Sequence, residues 1–225
     1  MTKRKISLAY KCLIFLCTVV GILLQCEVGT DKFSLSSFHM FTTLSNLAVA
    51  VFYFAYLIAE LRRSCSAESS VKFGYFKFLI TMSIMLTGLI AHFMLRGMFD
   101  GMDAIAKAGL TLLHYVVPIE TFLDWLLLDV KGKTTWKMPL FAAVFPLAYV
   151  IISLIAAQFL TGENKYPYPF LNADTLGAGA VALNILLIAL AFFVVGYFGV
   201  TADHGLKTRV TCGDKRHKSK GANIL

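Results

Sequence analysis

The sequence contains no Cys-x-x-Cys pair. Its five cysteines are scattered: Cys12, Cys17 and Cys26 lie in or near the first apolar block, Cys65 and Cys212 in basic segments. That distribution argues against a disulfide framework, a zinc site and a membrane thiol oxidoreductase. Neither a Gly-x-Ser-x-Gly elbow nor a His-Glu-x-x-His pair occurs. Any catalytic site must therefore be argued from geometry, not from a motif. No repeat or low-complexity segment is evident. Charge is also scarce: only 15% of the 225 residues are charged and 58% are hydrophobic. An ordinary soluble domain is about 45–50% apolar.

What is present is long apolar runs, with a mean hydropathy of +0.72. Their block pattern, without alternation, favours helices over a membrane barrel. Six blocks stand out, at residues 6–26, 38–61, 75–96, 108–130, 137–160 and 176–200. Each is long enough to cross a hydrocarbon core of about 30 Å at about 1.5 Å per residue. The expected fold is all-α, a six-helix transmembrane bundle over residues 1–205, followed by a basic tail at 206–225. The first block follows Lys3-Arg4-Lys5 and imitates a secretory signal. It is long for one, and no small-x-small cleavage site follows, so it is expected to be retained. "LLQC" at Leu23–Cys26 is only a faint lipoprotein signal, because Gln25 is a poor residue before a lipidated cysteine.

Basic residues set the expected orientation in a cell membrane. With the N-terminus inside, only Lys32, Arg96, Lys107 and Lys165 fall outside and Lys11 lies within the first helix. The rest of the 21 Lys and Arg fall inside, so both termini are expected to be cytoplasmic. The net charge of +8 then needs no nucleic-acid partner. The tail is read as a disordered segment facing anionic lipid.

This orientation gives depths to the polar residues of "HMFTTLSNLAVAVFY" at 39–53. Thr43 lies about 7–8 Å below the outer end of the second helix, His114 about 9 Å down the fourth, and His92 about 6 Å from the end of the third. Ionisable groups at membrane depth are costly and turn inward, and they mark functional sites. Three helices thus place polar side chains in one layer. Arg96 stands above His92 at i+4 spacing, where it can hold a carboxylate or phosphate. Thr43 and His114 can form a nucleophile and base if their helices adjoin. Asn46, three residues after Thr43, can donate to an oxyanion, and His92 can do the same or orient His114. Thr42 and Ser45 are read as packing residues.

Pro118, four residues after His114, removes the helical partner of the His114 carbonyl and predicts a kink. Glu120 lies deeper in the same helix and is an inward-facing candidate. Asp124, about 24 Å from the outer end, is expected to face lysines of the inner side or to cap another helix. "NKYPYPFLNADTLGAG" holds two stiff Tyr-Pro pairs, and its Tyr168 can belong to a lid or to an interfacial belt.

"FTTLSNLAVAVFY", "LLHYVVP" followed by "LDW", and "YPYPFLN" occur in that order over most of the chain. In these three stretches the chain resembles the androgen-induced protein family of multi-pass membrane proteins, including its bacterial branch. Animal members are threonine hydrolases of fatty acid esters of hydroxy fatty acids. The resemblance implies a lipid substrate, with the threonine at Thr43 and the histidine at His114; no metal or cofactor is expected. The chain departs from the animal pattern in two places. There the proline lies one residue further from the histidine, and an aspartate stands where Asn46 is. Two other readings use the same layer: a lipid-binding sensor or transporter that binds without reacting, and a haem protein with His92 and His114 as axial ligands.

Overall fold

The computed structural model describes the backbone of residues 3–31, 33–62, 71–95, 97, 101–162 and 165–221. Of residues 3, 71–72 and 207–221 it describes the backbone alone. The fold is all-α. Six helices are long and apolar enough to cross a membrane. We name them α1 (Lys3–Gln25), α2 (Phe41–Leu61), α3 (Val71–Met94), α4 (Ala104–Leu128), α5 (Met138–Ala156) and α6 (Ala178–Gly221). Their outward faces are apolar: Leu16, Phe93, Ile152, Leu186 and Phe198 are all exposed. A helix in a bilayer presents such a surface, because only its backbone bonds need internal partners. The chain is therefore a multi-pass integral membrane protein.

α3 is the most enclosed span, with half of it buried, and α6 is the least. Helix ends differ from the sequence reading where local chemistry decides them. α4 begins at Ala104, four residues before the apolar block, because Asp103 caps it by accepting from the Ala106 N–H at 2.9 Å. α6 starts after Gly177, whose φ of 78° breaks the chain from the short helix Ala173–Leu176. The backbone of α6 continues as helix to Gly221, where a disordered tail was expected. The tail's basic side chains lie outside the described residues, as does Cys65.

α4 is not a regular helix. Residues Leu112–Val116 and Asp124–Leu128 form two wide turns. In the first, the Val117 N–H bonds the Leu112 carbonyl, five residues back. Pro118 follows in that register, so the carbonyl it leaves without a helical partner is Leu113's. Asn46 of α2 supplies the missing donor: its Nδ2 bonds the Leu113 carbonyl at 3.2 Å. The His114 carbonyl instead faces Gly88 of α3. A Cβ at Gly88 would lie 3.1 Å from that oxygen and 3.2 Å from Pro118 Cβ. Gly88→Val is accordingly expected to force α3 and α4 apart, at about 1–3 kcal/mol for overpacking. Thermal unfolding of the detergent-solubilised variant checks this as a lowered Tm.

The end of the bundle away from the start of α2 is held by a buried ionic cluster. Lys11 of α1 and Asp124 of α4 are both fully buried and lie 2.8 Å apart. Lys77 of α3 pairs with the same carboxylate and, at 2.6 Å, with Asp129. The Tyr53 hydroxyl of α2 donates to Asp124 at 2.8 Å, and Lys11 also donates to Ser7. Of the two expectations for Asp124, inner-side lysines or a helix cap, the structure shows the first. Lys77 belongs to that set, and Lys11 joins it from within its helix. Four helices thus converge on one carboxylate.

Candidate active site

The start of α2 puts its first-turn N–H groups in the bundle, and the N-cap position, Met40, offers no side-chain cap. Tyr168 fills that role from the loop before α6: the Thr42 N–H donates to its hydroxyl at 3.2 Å. The Thr42 hydroxyl lies 3.2 Å from Tyr168 OH and 3.2 Å from His114 Nε2. On the other side of the imidazole, Nδ1 lies 3.0 Å from the Leu110 carbonyl. A carbonyl only accepts, so Nδ1 carries the hydrogen and Nε2 of the neutral ring is an acceptor. The hydrogens then run in one direction. Thr42 N–H donates to Tyr168, Tyr168 O–H to Thr42 Oγ1, Thr42 O–H to His114 Nε2, and Nδ1–H to Leu110. Burial raises the Tyr168 phenol above its ordinary value, which keeps this hydroxyl protonated as a donor. Thr42 and His114 are each 4% exposed.

The structure corrects the sequence reading at several residues. The hydroxyl in contact with His114 is Thr42's, not Thr43's. Thr43 is fully buried, and its Oγ1 has no hydrogen-bond partner among the described residues. Neighbouring helical residues differ by about 100° in direction, so only one of the two threonines can face α4 squarely. In this structure the contact falls to Thr42. Asn46 is not set up as an oxyanion donor, because both Nδ2 bonds go to backbone carbonyls, of Thr42 at 2.8 Å and of Leu113. It pins α2 to the wide turn that carries His114. His92 is exposed, edge-on to Phe93 and Tyr115, and does not orient His114. His92 and His114 therefore do not face a common haem site, and both nitrogens of His114 already have protein partners. Glu120 takes the Tyr10 hydroxyl of α1 instead of joining the threonine. Arg96 lies outside the described residues. Ser45, read as packing, bonds Thr87 of α3 at 2.8 Å. Tyr168 lies directly on the threonine.

The chain alone does not separate the two threonines. Thr42, Asn46, Val49, Tyr53, Tyr56 and Glu60 recur at alternating spacings of four and three and are all buried, which is the stripe a packed helix face requires. Thr43 belongs to a second such series, with Asn46, Ala50 and Tyr53, all of them buried.

The loop before α6 is fixed over this end. Asn184 Nδ2 donates to the Phe170 carbonyl at 3.0 Å, Leu171 is buried, and the Tyr168 and Phe170 rings stack at 5.0 Å. Tyr149 of α5 donates to the His39 carbonyl at 3.0 Å and stands edge-on to Tyr168. Beneath Tyr168 lies a cavity of about 150 Å³. Its walls are apolar side chains of α3, α5 and α6 together with Phe41, Phe170 and Leu171. Among the described residues no group of three or more His, Cys, Asp or Glu side chains is placed to hold a metal.

Fold and site together define a multi-pass membrane protein with a buried threonine–histidine contact at one end of its bundle. No protein-family model matches the chain, and no curated protein or solved structure matches it significantly.

Proposed function

We propose that the protein is an integral membrane hydrolase of lipid esters, with Thr42 as nucleophile and His114 as base. The observation that carries this is the 3.2 Å contact of Thr42 Oγ1 with His114 Nε2, on a ring whose Nδ1 is held by the Leu110 carbonyl. A threonine hydroxyl becomes a competent nucleophile when a base takes its proton, and a ring locked in the right tautomer is that base. The resemblance to the threonine hydrolases of the androgen-induced family points to the same reaction class. The distribution of basic residues supports a site toward the outer leaflet.

Thr42 Oγ1 bonds to the ester carbonyl carbon as its proton passes to His114 Nε2. The C–O bond to the alcohol then breaks, and His114 returns the proton to the leaving oxygen. Water next attacks the acyl-threonine, giving one proton to His114 and freeing the acid as Thr42 Oγ1 recovers it. Developing charge on the carbonyl oxygen requires donors, and two are adjacent: the Thr42 N–H at the start of α2 and the Tyr168 hydroxyl. Both are engaged with each other in the resting structure, so Tyr168 must turn from Thr42 to the substrate oxygen. Loss of one such donor costs about 10²–10³ in rate. Tyr168→Phe is thus expected to lower kcat by about 10²-fold, while labelling of Thr42 by a fluorophosphonate persists at a reduced rate.

The test is hydrolysis of fluorogenic acyl esters by purified protein, with Thr42→Ala, Thr43→Ala and His114→Ala variants and fluorophosphonate labelling mapped by mass spectrometry. Undiminished turnover in both Thr42→Ala and His114→Ala would end the dyad. Tyr168 closed over Thr42 also suits a lipid-binding sensor or transporter. That protein would show saturable binding, no product and no labelled threonine.

A further inference from the structure

The apolar cavity is joined to the threonine through two residues. Phe41, which lines it, precedes Thr42, and Tyr168, which lines it, holds the Thr42 hydroxyl. Its other walls show how it runs. Along α6 the lining residues go from Ile185, beside the Asn184 anchor of the loop, to Phe192 and the adjoining Phe193. Along α5 they go from Val150 to Ala143, and along α3 from Ile90 to Leu86. Seven residues on α5 and seven on α6 both give a depth of about 10 Å. Leu86, Ala143 and Phe192 form the far end, and Phe192 is only 3% exposed. Of the lining side chains only Tyr149 and Tyr168 carry a polar atom, and both hydroxyls have partners at the site end.

We propose that this cavity receives the acyl chain of the ester and that Phe192, at its far end, sets the longest chain the site accepts. The proposal rests on the hydrolase reading above and adds to it a substrate class, medium-chain acyl esters. Two measures agree on the length. C–C bonds of about 1.5 Å advance roughly 1.3 Å each in an extended chain, so about 10 Å takes about eight carbons. The volume of about 150 Å³ matches an engineered apolar cavity that takes one benzene, about six carbons. Nothing along the walls can hydrogen-bond a polar chain, so a hydrocarbon enters without leaving a buried polar group unpaired. Leu147 of α5 lines the cavity and is itself exposed on the apolar surface, which gives a chain a lateral way in from lipid.

The test uses methylumbelliferyl esters from acetate to palmitate. Wild type is expected to peak at about six to eight carbons and to fall at least about tenfold by palmitate. Phe192→Ala removes a ring about 5 Å long and should move the optimum up by about four carbons. Ala143→Phe, which fills the far end, should move it down. A chain-length profile that neither variant moves overturns the ruler and leaves the hydrolase standing. A second readout needs no turnover: an octyl ketone with a terminal diazirine is photolysed in the protein and the adduct is mapped. Adducts on Leu86, Ala143 or Phe192 support the cavity as the chain site even if no ester is hydrolysed, in which case the hydrolase reading fails alone. Adducts confined to outward-facing residues overturn the proposal.

Discussion

Asp124→Ala is expected to be the most destabilising single substitution in the bundle. The carboxylate is fully buried, and Lys11, Lys77 and Tyr53 all donate to it from three other helices. Removing it leaves Lys11 with the Ser7 hydroxyl and with Asp129 at 3.9 Å, and leaves Lys77 with Asp129. Two buried cations then share one carboxylate. Breaking a buried ion pair from one side costs about 3–5 kcal/mol, because the remaining charge stays out of water without its partner. In a chain of this length that corresponds to roughly 10 °C in Tm. The measurement is thermal unfolding in detergent, followed by near-ultraviolet circular dichroism. Adding Lys11→Met to Asp124→Ala should restore part of the loss, since the excess charge is removed with its partner. Asp174→Ala, at an exposed pair with Lys165, serves as the control and should leave Tm unchanged. Equal Tm values for the Asp124 and Asp174 variants would contradict this account.

The second large effect concerns turnover. Thr42→Ala and His114→Ala should each lower ester hydrolysis by about 10³-fold or more, and the double variant should be no worse than the poorer single one. Residues that act as one unit fail together, and this non-additivity separates a dyad from two independent packing contacts. Thr42→Ser keeps a hydroxyl in place and should retain measurable activity. Thr43→Ala should stay near wild type, because nothing among the described residues bonds its hydroxyl. The opposite ranking, with Thr43→Ala inactive and Thr42→Ala active, would return the nucleophile to the position that the family resemblance implies.

These outcomes bear on how far the chain could be read. The six spans were visible because a bilayer demands about twenty apolar residues per crossing, and that demand is written locally. The polar layer was visible for the related reason that polar groups are costly at such depth. His114 was found this way, and so was the stretch holding both threonines. Their partners were not. His92 shares the depth of His114 but points to the exposed face, a matter of rotation about the axis that depth does not report. Asn46 has the chemistry of an oxyanion donor, yet a wide turn in α4 strands the Leu113 carbonyl and the amide is spent there. Tyr168 was a candidate from its loop alone, whereas its bond to the α2 terminus depends on how that loop is anchored by Asn184.

By itself, then, the sequence determined a six-span membrane protein with threonine and histidine at one level. Those properties follow from composition and length along single helices. Which threonine meets the histidine was decided only by the tertiary structure. Adjacent helical residues point about 100° apart, and which of them meets His114 is set by contacts that hold α2 and α4 from three other places in the chain. These are the Pro118 turn of α4, the Gly88 face of α3 and the Tyr168 loop.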